Sequence, residues 1–199
     1  MARILTKKQI GLISFFANIF AWYGFSIFTF SAIALGKVFF PHYTEQTAVI
    51  KILLIFTISH LARPLGSIIF GYLGNKFGAS RIFRLSLLMM FIPSVIIGIL
   101  PTYSNLGLFA IVALITMRLT QGIAAGGEFP SSICYMYEKS KDGKGAFLCS
   151  LACSGSLLGV LGGLLATTIL YAIFSTEEII AWAWEFLAKQ RALLLDFYS

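Results

Sequence analysis

Charge is what this sequence has least of. Charged residues make up 12% of its 199 residues, about half the share of a typical soluble domain. A disordered chain is excluded, because staying solvated takes abundant charge and little hydrophobicity. Cysteine is scarce as well: Cys134, Cys149 and Cys153 have neither the number nor the spacing of a disulfide framework or a zinc site. His42 and His60 lie on different segments, and there is no HExxH motif and no pair of carboxylates within one span. Gly143-Lys144-Gly145 lacks the spacing of a phosphate loop. These absences predict neither an enzyme nor a bound cofactor or metal. What is there instead is apolar: 58% hydrophobic residues, 19 phenylalanines and 18 glycines, a composition suited to helices packed within a bilayer.

The gaps between charges locate those helices. No charge falls between Lys8 and Lys37, between Arg84 and Arg118, or between Lys144 and Glu177. A spanning helix needs about 20 apolar residues. The middle gap is longer and is cut by the turn-forming run Pro101-Thr102-Tyr103-Ser104-Asn105, so it reads as two spans joined by a short hairpin. A further apolar stretch, Ile52 to Asn75, is broken only by His60 and Arg63. The expected spans are residues 11–35, 52–74, 85–100, 107–130 and 146–174. The first is too long for the core of a cleavable signal peptide and has no small-residue cleavage pattern before Lys37. Runs of this length are helices rather than barrel strands, which alternate over about ten residues.

Alternation of the spans explains the net charge of +7. One side receives Arg3, Lys7, Lys8, Lys76, Arg81, Arg84, Lys139, Lys141 and Lys144; the other receives Lys37 and Lys51 with Glu45, Glu177 and Glu178. The positive-inside rule makes the first side, and the N-terminus, cytoplasmic. The basic excess is therefore topological, and no nucleic-acid partner is expected.

Polar residues inside the spans are the candidate functional residues. Arg63 falls near mid-membrane, about 18 Å of helix from either end of its span. A central arginine costs at least about 2.5–3.5 kcal/mol to insert, so it must face protein or water. Pro64 follows it and should kink the helix, and His60 lies one turn earlier. Arg118 is the second such residue. Gln121, Gly122, Ala125, Gly126 and Phe129 continue its helix face, and Glu128 follows. Gly155, Gly159 and Gly163 form overlapping small-xxx-small steps, which tight helix packing accounts for.

Several of these stretches resemble a known family. Gly71-Tyr72-Leu73-Gly74-Asn75-Lys76-Phe77-Gly78-Ala79-Ser80-Arg81 resembles the cytoplasmic loop signature of the major facilitator superfamily, between its second and third helices. Arg63-Pro64-Leu65-Gly66, and Arg118 followed by Gln121-Gly122-Ile123-Ala124-Ala125-Gly126-Gly127-Glu128, resemble the metabolite:proton symporters of that superfamily. Asn18-Ile19-Phe20-Ala21-Trp22-Tyr23-Gly24-Phe25 is similar to the first helix of its bacterial proline/betaine branch. Ala21 and Gly24 stand where that branch carries glutamate and aspartate, and Asn75 and Ala79 where the loop signature carries aspartate and arginine. Glu128 is the matching membrane carboxylate that remains.

The resemblance implies an all-α membrane protein, about five transmembrane helices of an N-terminal six-helix half, incomplete at the sixth. It extends through Trp184. Residues 1–184 are then the transporter half and 185–199 a divergent tail, interfacial near Trp182 and Trp184 or the product of a shifted reading frame. The implied function is symport of small zwitterionic osmolytes such as proline or betaine with protons, in the bacterial inner membrane. The chain is expected to be inactive alone or to need a second chain for the missing helices. Asn18, Trp22, Arg63, Arg118, Gln121 and Glu128 are the implied substrate or ion pathway. Gly71, Gly74, Asn75, Lys76, Gly78 and Arg81 are the implied loop motif, in which glycines let helix ends approach and turn and charges latch neighbouring helices.

Overall fold

The computed structural model of the chain describes residues 7–140 and 145–179. Every regular element among them is an α-helix: α1 (Lys7–Phe30), α2 (Ala32–Phe39), α3 (Glu45–Leu61), α4 (Arg63–Phe77), α5 (Ala79–Ile99), α6 (Tyr103–Leu106), α7 (Leu108–Lys139), α8 (Gly145–Ile173) and α9 (Thr176–Glu178). Four helical stretches are long and apolar enough to cross a membrane, and α1 with α2 makes a fifth if that bent pair is one span. This is the all-α membrane bundle expected from the sequence.

Two of the spans are interrupted, for different reasons. α3 and α4 meet at Ala62, which keeps right-handed helical angles (φ −78°, ψ −13°), so the 33 residues Glu45–Phe77 run on as one span. Pro64 sits in the first turn of α4, where a missing N–H is tolerated. At about 1.5 Å per residue this span measures about 50 Å, more than the roughly 30 Å hydrocarbon core. The other interruption was not expected: α1 and α2 are bent by 65° at Ser31. No proline lies there. The Thr29 hydroxyl donates to the Phe25 carbonyl, 3.1 Å away, one turn before the bend, and such bonding into the helix ladder favours bending. α2 then lies against α3, where Gly36 admits the backbone of Ala48 and Val49.

The helices pack through small residues. The most extensive pairing is α1 with α8, followed by α5 with α7 and α4 with α7. On α8, a Cβ at Gly155 would lie 2.5 Å from the Phe15 carbonyl oxygen, one at Gly163 would lie 2.6 Å from Cβ of Ser26, and one at Gly159 would strike the Ile19 carbonyl. The Ser26 hydroxyl donates across the same contact to the Val160 carbonyl at 2.8 Å. Turns are short. Gly78, at φ +88°, both ends α4 and begins α5, and only glycine takes that angle without strain. Gly107, at φ +55°, does the same before α7.

An apolar core of Phe28, Leu35, Phe39, Ile52 and Leu114 fills the end of the bundle near the α1–α2 bend. A smaller cluster of Ala21, Phe25, Met90 and Ala124 lies deeper. Beyond α8, Ser175 caps α9 reciprocally. Its N–H and hydroxyl both donate to Glu178 Oε2 at 2.9 Å, while the Glu178 N–H donates back to the Ser175 hydroxyl at 3.3 Å, which is a capping box. The donated backbone and hydroxyl bonds hold the Glu178 carboxyl below its ordinary pKa.

Candidate solute pathway

Four glycines set the position of the polar residues. On α7, a Cβ at Gly122 would strike the Ser59 carbonyl, one at Gly126 the Arg63 carbonyl, and one at Gly127 the Phe70 ring; on α4, one at Gly66 would strike the Ile123 carbonyl. The Ser67 hydroxyl donates to the Gly126 carbonyl at 2.8 Å. The α3–α4 junction, which carries Arg63, is therefore in backbone contact with α7, which carries Glu128.

α1 supplies aromatic faces to both arginines. The Arg63 guanidinium carbon lies 4.9 Å from the Trp22 ring centroid and 4.8 Å from that of Phe25. The Arg118 guanidinium carbon lies 3.3 Å from the Phe28 centroid and 5.9 Å from Phe25. Phe25 is thus shared, which brings the two arginines to one site. His60 meets Phe56 at a tilt and Phe25 edge-on, at 4.1 and 5.6 Å between centroids, with Nδ1 3.1 Å from the Phe56 carbonyl oxygen.

Burial at this site is deep, and its polar atoms are under-satisfied. Arg118 and Glu128 are 3% and 1% exposed; Arg63, Trp22 and His60 are half-buried. Arg63 Nε and Nη2 and Glu128 Oε1 are shielded from solvent with no hydrogen-bond partner among the described residues. Buried polar atoms in native proteins are nearly always bonded, so these atoms call for a partner other than the described residues. Among the described residues no three His, Cys, Asp or Glu side chains gather as a metal site.

Asn18 and Gln121 lie in the same bundle but are engaged elsewhere. Asn18 is fully buried and ties three helices. Its amide nitrogen donates to the Ser14 carbonyl at 2.9 Å and to the Ser132 hydroxyl at 3.3 Å, and its oxygen accepts from the Ser156 hydroxyl at 3.2 Å. Gln121 donates to the Ser94 hydroxyl at 2.6 Å and so joins α7 to α5. Sequence reasoning missed Phe25 and Phe28 as arginine partners. Their signal was the spacing of Trp22, Phe25 and Phe28, which repeats every three residues along one helix face.

In the loop motif, Gly78 makes the turn, and Asn75, Lys76 and Arg81 stand exposed. Gly71 and Gly74 differ from expectation, because a Cβ at either would meet nothing within 4 Å. Their open side faces away from the described helices, so they bring no helix end of this bundle closer.

The profile of a family described as "Sugar (and other) transporter" matches residues 12–193. The chain belongs to this family, within the major facilitator superfamily. Its relatives include the proline/betaine transporter of Salmonella typhimurium, 34% identical over 92% of this chain and 36% of that protein. The glycine betaine/proline/ectoine/pipecolic acid transporter of Dickeya dadantii is 32% identical over 84% of this chain and 33% of its own length. The shikimate transporter of Escherichia coli K12 is 32% identical over 89% of this chain and 41% of its own. This member of the family is a multi-pass membrane protein of transporter type, not an enzyme. It spans between a third and about two fifths of the length of these relatives. The family match runs past Trp184, and the expected divergent tail, residues 185–199, lies outside the described residues.

Proposed function

We propose that this chain forms the first helices of a carrier for small carboxylate-bearing solutes, coupled to protons and oriented with its N-terminus in the cytoplasm. The observation that carries the reading is the Arg63 guanidinium, held over Trp22 and Phe25 with Nε and Nη2 buried and unpartnered among the described residues. Those two nitrogens form the side of a guanidinium that grips a carboxylate through two parallel bonds. Arg118, held at the same aromatic site, adds positive charge. Proline, betaine and shikimate, the solutes in the relatives' names, all carry a carboxylate. Zwitterionic osmolytes of the proline and betaine kind are the leading candidates within that class. Glu128, a buried carboxylate on α7, is the group proposed to load and release the proton.

Transporters of this architecture bind solute at the interface between two repeats. The described helices would then provide one wall, and they are not expected to carry solute across alone. The test is uptake of radiolabelled betaine and proline by cells lacking their own systems. The chain is produced by itself and joined to the remaining part of the Salmonella relative. The joined protein should take up solute, the chain alone should not, and Arg63→Gln in the joined protein should lower uptake at least about tenfold. Undiminished uptake with Arg63→Gln would refute the assignment.

A further inference from the structure

His60 lies one turn before Arg63 on the same span, and both pack on Phe25. The Arg63 guanidinium carbon is 4.8 Å from the Phe25 centroid, and the His60 ring centroid is 5.6 Å from it. The imidazole is pinned by Phe25 at its edge, by the tilted Phe56 ring, and by a bond between Nδ1 and the Phe56 carbonyl oxygen, 3.1 Å away. A carbonyl oxygen can only accept, so Nδ1 carries the proton in that bond. In the neutral imidazole Nε2 is then a bare acceptor. It makes no hydrogen bond among the described residues, and the ring around it is half-buried. Arg63 and His60 therefore offer complementary chemistry side by side. The guanidinium only donates, and Nε2 only accepts.

We infer that Nε2 of His60 accepts an N–H or O–H of the solute whose carboxylate Arg63 holds, so that the favoured solute carries such a donor beside its carboxylate. This inference rests on the carboxylate reading above and narrows it. Amino and hydroxy acids fit, the ring ammonium of proline included. Glycine betaine, whose nitrogen bears no hydrogen, leaves Nε2 unmet and binds more weakly. A site built to bond a solute N–H discriminates against an analogue that lacks it, because its own polar atom is left unpaired.

Three ligands of one skeleton test it. Proline, N-methylproline and N,N-dimethylproline share the ring and the carboxylate and carry two, one and no N–H groups. Binding to the purified chain in lipid nanodiscs is measured by titration calorimetry at about pH 8, where an ordinary histidine is neutral. Proline and N-methylproline should each bind about tenfold tighter than N,N-dimethylproline. His60→Phe keeps a ring against Phe25 and Phe56 but removes Nε2, and should bring proline level with N,N-dimethylproline. Arg63→Lys loses the planar fork and should weaken all three about tenfold. Circular dichroism identifies a variant that has failed to fold. The nitrogen-15 resonance of Nε2 in the otherwise unaltered chain, assigned with His42→Gln, tests the bond without changing His60: it should shift on adding proline and stay in place with N,N-dimethylproline. Equal affinities for the three, a ranking that persists in His60→Phe, or an Nε2 resonance unmoved by bound proline would overturn this inference, while Arg63-dependent binding kept the carboxylate reading intact. No saturable binding of any of the three, or binding indifferent to Arg63→Lys, would overturn both.

Discussion

Adding one methyl group at Gly122 or Gly126 should separate α7 from the α3–α4 junction, and the cost follows from what the new atom meets. A Cβ at Gly122 would overlap the Ser59 carbonyl oxygen and lie 2.8 Å from its carbon; at Gly126 it would overlap the Arg63 carbonyl oxygen and lie 2.9 Å from its carbon. Carbon atoms pack at about 3.5–4.0 Å, so the helices must part by about 1 Å. The obstructing atoms are backbone, and no rotamer change relieves them. Overpacking of this kind costs about 1–3 kcal/mol. Gly122→Ala and Gly126→Ala should each lower stability by about that amount, and the double variant by less than the sum, because the two residues share one interface. Gly71→Ala is the control on the same span, since its Cβ meets nothing within 4 Å; a change within about 0.5 kcal/mol is expected. The assay is reversible unfolding of the purified chain by sodium dodecyl sulfate in mixed micelles, followed by far-ultraviolet circular dichroism. Gly122→Ala as stable as the parent, or Gly71→Ala as damaging as Gly122→Ala, would refute the reasoning.

Other perturbations reach other parts of the account. Asn18→Leu removes the bonds to Ser132 and Ser156 on α7 and α8; at about 0.6 kcal/mol each, and at most about 1.7, for inter-helix bonds in membranes, a loss of about 1–3 kcal/mol should appear in the same unfolding assay. Glu178 titrates below an ordinary glutamate because Ser175 donates two bonds to it. Its contribution is therefore present above the unfolded pKa of about 4.3 and is lost as pH falls through the lower folded value. A nuclear magnetic resonance titration should place its midpoint below that of Ser175→Ala; equal midpoints would discard the cap. In a variant whose native cysteines are replaced, a cysteine at Asn75 should react with a membrane-impermeant reagent only from the cytoplasmic side and one at Tyr43 only from outside. The reverse pattern would invert the proposed topology.

The spans were legible because a charge in hydrocarbon is so costly that its absence over a long run means a helix. Pro64 suggested a kink, but Ala62 keeps helical angles, Pro64 falls in the first turn of α4, and Glu45–Phe77 runs on as one span. The 65° bend at Ser31 was not legible, because no proline marks it and hydroxyl-to-carbonyl bonds like that of Thr29 also occur inside helices that run on unbroken. The glycines of α8 announced close packing and deliver it against α1. Gly71 and Gly74, marked for close approach by the family resemblance, meet nothing here, since a motif says that a close approach is possible but not what approaches. Arg63 and Arg118 stood out singly as intramembrane charges. Their meeting at Phe25 depends on the register of α1 against α4 and α7, which one sequence does not express. Asn18 and Gln121 illustrate the same limit. An amide in a span reads equally as pathway or as helix tie, and here the hydrogen bonds of both run to serines on neighbouring helices.

The most direct test of the carboxylate site is a solid-state nuclear magnetic resonance distance. Glycine betaine labelled with carbon-13 at its carboxyl is bound to the chain carrying nitrogen-15 arginine in lipid, and the carbon–nitrogen dipolar coupling is measured. Arg63→Lys serves to assign the signal. A carboxylate held by the Arg63 fork predicts a separation of about 4 Å that vanishes in the variant. Bound betaine whose carboxyl shows no coupling to any arginine nitrogen would contradict the account.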